Sequence, residues 1–460
     1  MVIKKDSKKI KELKHQSRRL SIKEGLLASA KGSFGDSYIS PFAIAINTSN
    51  SLVALLSSIA GLLGPLSQVF GSRLIEKTTR KKIMLKAVIF ETIIWLLLGI
   101  IAILFTKNIL ISFLPLFLFF TFAIYTIIVN AAHPSWFSWT GDIVNENKRG
   151  EWFSKRTLLV SFTSVILAIS ASVMLDYFKN SGKIMTGFAI LFGLAFIFRL
   201  LCLNIFRRQY EPKIKLEKGY YFSFWDFLIN AQKNNFGKFS IFRLAFGFAC
   251  TITSPLIAIY LLRILEFNYA TYMIITLSGT IFSLLFIKLW GKIADKYGNY
   301  LVIVITTIAL PIIPILWILN SSPIYLVLAP SLIGGIAWAG FHLATANFIY
   351  DNVGKQKRAL AVSYYNLMLG IGIFVGGLLS AFLIKFMPQF FDNYIAIIFI
   401  IGTVIRMITI LIWIPKFREI RKTKKFKGIK TFKNLVLKEA KPTLVEEVHE
   451  IIAIKEYLKE

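Results

Sequence analysis

The sequence predicts an all-α polytopic membrane protein of twelve transmembrane helices in two pseudo-symmetric six-helix bundles. Three observations predict it: long apolar runs recur over the whole chain, basic residues crowd into alternate connections, and the two halves repeat each other. The chain has 460 residues, 56% hydrophobic and 17% charged, against about 25% charged in an ordinary soluble domain. Twelve apolar runs fall near 24–46, 50–71, 83–105, 109–132, 155–176, 184–206, 240–262, 268–290, 300–319, 323–348, 359–384 and 393–415. Each matches the roughly 20 residues that cross a hydrocarbon core.

Charge orients these runs. The net charge of +30 raises a nucleic-acid reading, since basic surfaces bind phosphate backbones. Its distribution excludes that reading. Of the 54 Lys and Arg residues, 46 lie at the termini and in every second connection, whereas the intervening connections hold only Lys107, Lys179, Lys183, Arg263 and Lys385. That asymmetry is the positive-inside rule, so both termini are expected in the cytoplasm of a cell whose plasma membrane the chain spans.

The elements follow in order. Residues 1–23 form a basic cytoplasmic segment that leads straight into a full-length span, with no cleavable signal expected. Residues 24–206 make the first bundle and 240–415 the second. The connection 207–239 carries "YYFSFWDFLINAQKNNFGKF", suited to an interfacial helix. The tail, 416–460, is basic at first; beyond Pro442, Thr443 and Glu446 form a capping box for a short amphipathic helix. Cys202 and Cys250 both fall within apolar runs and are read as small apolar residues, with no disulfide, metal site or cofactor implied.

Three anchors relate the halves. "SRLIEKTTRK" from Ser72 matches "GKIADKYGNY" from Gly291, an offset of 219 residues. His133, Asp142, Val144, Lys148 and Arg149 match His342, Asp351, Val353, Lys357 and Arg358 at 209, and "SPFAIAI" from Ser40 matches "SPLIAIY" from Ser254 at 214. Similar offsets at corresponding places mark a duplicated bundle, as in many transporters.

The first anchor resembles the signature G-x-L-A-D-R-x-G-R-K/R of the major facilitator superfamily. Gly291, Ile293, Ala294, Asp295, Lys296 and Gly298 fit it; in the first half Leu74, Arg80 and Lys81 fit, while Ser72, Glu76, Lys77 and Thr79 replace Gly, Asp, Arg and Gly. The resemblance covers residues 24–415 and implies that family's fold and secondary transport by a rocker switch between two bundles. Physically, glycine permits the tight turn, and the acid can accept from the free N–H groups that open a helix of the opposite bundle. In the family these loops latch the outward-facing state. The resemblance implies that role for Glu76 and Asp295, with Gly291, Lys296, Gly298 and Arg80 beside them and Arg149 and Arg358 in the facing loops. The loop "PSWFSWTGDIVNENKRGEWFSKR" is similar to one in prokaryotic members. The chain lacks the span-four arginine and span-five G-P-x-x-G-G of drug–proton antiporters, and "FRRQYEP" replaces the P-E-S-P-R of sugar porters.

Polar residues present in one half only are the substrate candidates. Asp36 corresponds to Cys250 at the 214 offset, so the fold does not demand an acid there. It lies about 18 Å into the first span, where a carboxylate costs on the order of 2.5–3.5 kcal/mol on insertion scales. Ser29, Ser33, Asp36, Ser37 and Ser40 would share one face of a continuous helix and line a watery cavity; serines alone would also suit close helix packing. Lys31, five residues before Asp36, is not expected to share its face and could snorkel. Glu91 and Arg406 are the other intramembrane candidates, Arg406 as counter-ion for an anionic group. His133 and His342 occur in both halves and suit structural roles at helix ends.

The expected function is therefore secondary active transport of a small solute, coupled to a proton or sodium ion, by a monomer with Asp36 as the binding carboxylate. A non-transporting receptor or sensor with the tail as output is the alternative. An enzyme is not expected: no nucleophile–base pair, metal cluster or phosphate-binding glycine loop is visible.

Overall fold

A computed structural model describes residues 8–144, 149–212, 223–354, 358–390 and 393–424. Its described residues are helical, without a strand. Two compact units emerge, Met1–Leu56 with Leu63–Lys218, and Ser57–Leu62 with Gly219–Glu460.

The first unit holds α1 (Lys8–Phe34), α2 (Ile39–Ala45), α3 (Asn50–Lys77) apart from Ser57–Leu62, α4 (Arg80–Thr106), α5 (Leu114–Ile143), α6 (Arg149–Asn180) and α7 (Ile184–Arg208). The second holds α8 (Phe224–Asn230), α9 (Asn235–Thr251), α10 (Leu256–Ile259), α11 (Tyr269–Tyr297), α12 (Asn299–Ala309), α13 (Ile312–Leu319), α14 (Pro323–Leu326), α15 (Leu332–Asn352), α16 (Arg358–Phe386) and α17 (Tyr394–Trp413). Eleven helical stretches among the described residues are long and apolar enough to cross a bilayer. The first expected span is not among them: it carries Lys31 and Asp36 and is divided between α1 and α2.

Lipid is the solvent these helices are built for. On α4, Phe90, Ile93, Leu96, Ile100 and Ile103 are exposed, whereas the opposite face buries Glu91, Trp95, Leu98 and Ile101. The outer face is as apolar as the inner one, and the charge lies inside, the reverse of a soluble amphipathic helix.

Both units break their first span at the Ser-Pro anchor. α1 ends at Phe34, a 3₁₀ turn spans Asp36–Tyr38, and α2 follows with Pro41 in its first turn. α9 ends at Thr251, and Pro255 caps α10. A proline has no N–H for the carbonyl four residues back, so the chain stops and restarts there at little cost. The helices then pack alike: α1 against α6 and α7, α9 against α16 and α17; α4 against α5, α12 against α15; and α4 against α7, α13 against α17. Gly372 and Gly376 let α16 lie directly on the α9 backbone at Leu244 and Phe248, where a Cβ would overlap the carbonyls. Small residues four apart serve this purpose in membranes.

The stretch expected to form an interfacial helix contains α8, capped by Ser223 and Asp226. The expected tail helix beyond Pro442 lies outside the described residues.

Candidate functional site

The break after Phe34 decides the geometry of the first unit's interior. A continuous helix would turn Asp36 away from Lys31. Instead the chain leaves the helix at Gly35, and Asp36 swings back so that its Oδ2 lies 2.9 Å from Lys31 Nζ. The expectation that these two occupy different faces is corrected by that turn. The serine stripe is interrupted for the same reason. Ser33 is fully buried and bonds Ser29 O at 2.8 Å and Ser164 on α6 at 2.9 Å; Ser37 and Ser40, past the break, are half-buried.

Lys31 is the hub. Its Nζ also lies 3.0 Å from Glu91 Oε1 on α4 and donates to Tyr125 Oη on α5 at 3.1 Å. Three acceptors use the three donors of an ammonium. Tyr125 in turn donates to Asp36 Oδ1. Glu91 Oε2 takes Arg199 Nη2 of α7 at 2.6 Å, so two cations and two carboxylates from four helical elements neutralise one another. Lys31 and Arg199 side chains are each 9% exposed and Glu91 1%, but Asp36 is 42% exposed. Asp36 is thus the one member that solvent or a solute can reach. Trp95, at 5.7 Å from Lys31 Nζ to its ring, closes another side. A second buried pair, Glu24 and Arg156 at 3.0 Å, ties α1 to α6 nearer the chain start.

The other candidates lie elsewhere. Arg406 is buried on α17 and donates to Leu310 O and Cys250 O at 3.2 Å each and to Thr253 Oγ1. These are groups beside helix breaks: the carbonyl of Leu310 has no helical donor because residue 314 is proline. Arg243 on α9, counted with the cytoplasmic connection on sequence, is instead buried inside the second unit.

The motif residues form a polar cluster at one end of each unit. Arg80 is fully buried and reaches Asp142 Oδ2 at 2.6 Å, Ser138 Oγ at 2.9 Å and Pro212 O at 2.8 Å. Glu211 accepts the Arg80 backbone N–H at 2.8 Å and so caps α4. In the second unit Glu419 accepts the Tyr300 N–H at 3.0 Å and caps α12, Asn299 bonds Asp351 at 2.7 Å, and Arg421 reaches Ala294 O at 2.7 Å. Gly298 makes the turn with φ 98°, a conformation that favours glycine. Gly291 is half-buried in α11; Asp295 and Lys296 are exposed near its end. Glu76, Arg149 and Arg358 lie on helices, but their side chains fall outside the described residues. His133 lies tilted against Trp136 and stacks on Phe137, and His342 stacks on Trp338.

Sequence reasoning missed Tyr125, Arg199, Arg243, Glu211 and Glu419. Depth held the signal for one of them: Lys31, Glu91 and Arg199 all lie seven or eight residues inside the cytoplasmic ends of their expected spans.

Comparison with known proteins bears on this arrangement. A profile of the Major Facilitator Superfamily matches residues 239–456. No curated sequence matches the chain. Among solved structures, a point mutant of the nucleoside transporter NupG superposes with a TM-score of 0.68 at 15% identity, covering 88% of this chain and 100% of that one. An inward-facing bacterial homologue of the iron transporter ferroportin gives 0.63 at 14%, covering 87% and 98%. A bacterial homolog to the human lysosomal transporter Spinster gives 0.58 at 13%, covering 96% and 99%. At such identities the likeness is one of fold, and it extends over both units. The profile match assigns residues 239–456 to the Major Facilitator Superfamily, and the eleven apolar helices make the chain a multi-pass membrane protein whose fold is similar to that of these solved transporters.

Proposed function

We propose that the chain is a secondary active transporter that moves a small solute across the plasma membrane by alternating access, with Asp36 as the carboxylate that binds the coupling proton. Both termini lie in the cytoplasm in this reading, the chain works as a monomer, and no catalysed reaction is involved. The observation that supports it most is the exposure of Asp36 at the end of an otherwise buried, charge-balanced set. Protonation of Asp36 removes one of the two carboxylates that hold Lys31 and leaves a net positive charge on the buried remainder. A buried charge without its counter-charge is costly, so the protonated site favours a different packing or the arrival of a solute. That is the differential interaction a coupled transporter needs between its two states. The motif loops, capped and cross-linked alike in both units, are the natural elements for gating.

The test begins with thermal unfolding of the purified protein against a library of small solutes. A ligand present at about a hundred times its dissociation constant adds roughly 2.7 kcal/mol. The strongest stabiliser is then followed into proteoliposomes with and without an imposed pH gradient, beside Asp36→Asn. Gradient-driven accumulation by the wild type and only gradient-independent exchange, or none, by the variant is expected. Accumulation by Asp36→Asn equal to wild type would remove Asp36 from the coupling role.

A further inference from the structure

The second unit carries an unbalanced charge. In the first, Lys31 and Arg199 meet Asp36 and Glu91. In the second, Arg243 and Arg406 are both buried, while its described acids, Asp226, Glu266, Asp295, Asp351 and Glu419, all lie outside the spans or at their ends. The two arginines differ in what occupies them. Arg406 spends its Nη groups on Leu310 O, Cys250 O and Thr253 Oγ1. Arg243 makes one hydrogen bond, from Nε to Tyr365 Oη at 2.7 Å, and its guanidinium lies 4.5 Å from the Phe341 ring centroid. Its two Nη atoms have no partner among the described residues, yet they are not sealed from accessible space. A guanidinium buried to 6% exposure, steadied by a tyrosine hydroxyl and an aromatic face, keeps a two-pronged edge of free donors. That edge matches a carboxylate or a phosphate.

We propose that Arg243, positioned by Tyr365 and Phe341, is a binding residue for the anionic group of a small organic solute, a carboxylate or phosphate monoester. Arg243 lies about 12 Å along α9 from its first residue and about one turn inside the expected span, but its side chain is buried within the unit, where a cation without a counter-ion is expensive. An anion bound there restores the balance that the first unit achieves with its own carboxylates. The inference rests on the reading of the chain as a solute transporter and narrows it to anions.

The experiment measures thermal unfolding of the full chain in a neutral detergent and low-salt buffer, with succinate, glycerol 3-phosphate, their neutral counterparts succinamide and glycerol, or phosphatidylglycerol added. Wild type, Arg243→Gln, Arg243→Lys and Arg406→Gln are compared. Succinate or glycerol 3-phosphate is expected to raise the wild-type midpoint and the neutral compounds to leave it. Arg243→Gln is expected to unfold no earlier than wild type without ligand, and to need about tenfold or more anion for the same shift, a loss of at least 1.4 kcal/mol of binding. Arg243→Lys keeps a weaker response. Arg406→Gln unfolds earlier but still responds. No shift with either anion, an equal shift with the neutral compounds, or an unaltered response in Arg243→Gln overturns the proposal. So does a large loss of ligand-free stability in Arg243→Gln, which makes the residue a structural tie. A shift produced by phosphatidylglycerol alone assigns the site to a lipid headgroup and overturns the solute assignment. Because binding is read without transport, failure here leaves the Asp36 coupling test standing, and failure of that test leaves this one.

Discussion

Removing Glu91 should damage the protein more than removing the arginine that faces it. Glu91 touches two cations, Lys31 at 3.0 Å and Arg199 at 2.6 Å, and is 1% exposed. In Glu91→Gln, Lys31 keeps Asp36, but Arg199 has no acid left, and a full positive charge is stranded inside the bundle. Breaking a buried pair in this way costs about 3–5 kcal/mol, most of it the uncompensated charge. Arg199→Met strands less. Glu91 then still has Lys31, and the excess negative charge can settle on Asp36, which is 42% exposed and can hydrate or take a proton. The double variant Glu91→Gln with Arg199→Met removes one charge of each sign and leaves Lys31 with Asp36. It should recover most of the loss, so the coupling between the two positions is expected to be large, in the 0.5–3 kcal/mol range or above it for contacting residues. Unfolding midpoints and denaturant titrations in detergent across the four proteins measure this cycle. Additive costs, or a Glu91→Gln loss below about 1 kcal/mol, within the range of an exposed pair, would refute the claim that the four groups form one balanced set.

Two further outcomes are expected from the packing and the caps. Gly376→Val puts a branched side chain against the Phe248 carbonyl and should cost at least the 1–3 kcal/mol typical of overpacking, read as a lowered midpoint; an unchanged midpoint would mean that α16 and α9 do not lie as close as described. Glu211→Ala and Glu419→Ala each remove a carboxylate that caps a helix N-terminus, at about 1 kcal/mol. Hydrogen exchange should quicken at the Arg80 amide in the first variant and at the Tyr300 amide in the second, each without effect on the other.

The helices were legible because crossing lipid imposes length and composition on the chain directly, and that signal survives without any knowledge of neighbours. The repeat was legible too, and its Ser-Pro anchor turned out to be a helix break. What the sequence concealed was the consequence of that break. Reasoning from a continuous helix put Asp36 among serines and apart from Lys31; the turn at Gly35 reverses both statements. Partner choice was hidden for a different reason. Arg199 and Glu91 lie 108 residues apart in sequence, and only their common depth hints that they meet. Tyr125 gave no hint, since an aromatic residue in a span is ordinary until its hydroxyl is seen between Lys31 and Asp36. The caps Glu211 and Glu419 lie in short segments after the last helix of each unit, where one acid among basic residues reads as solvated.

Position by position, the repeat explains why the two units ended with different charge. Shifted by the 219 residues that relate the motif loops, Glu91 falls on Leu310; shifted by 214, Asp36 falls on Cys250. Arg199 and Arg406 stand one residue out of register by the 208 residues that relate Glu211 to Glu419. In the first unit the arginine of the last helix meets a carboxylate at position 91. In the second, the corresponding arginine meets the carbonyls of Leu310 and Cys250, the residues that stand where the two acids would be. Broken helices have supplied the acceptors that acids supply in the first unit, as partial charges in place of full ones. The substitution gives the Arg406 Nη groups hydrogen bonds but leaves the net charge in place, and Arg243 adds to it. Features shared by both units, the proline breaks and the glutamate caps, therefore belong to the scaffold. The features that differ are an exposed acid in one unit and, in the other, a guanidinium whose Nη atoms have no partner among the described residues; these are the positions that the two proposals address.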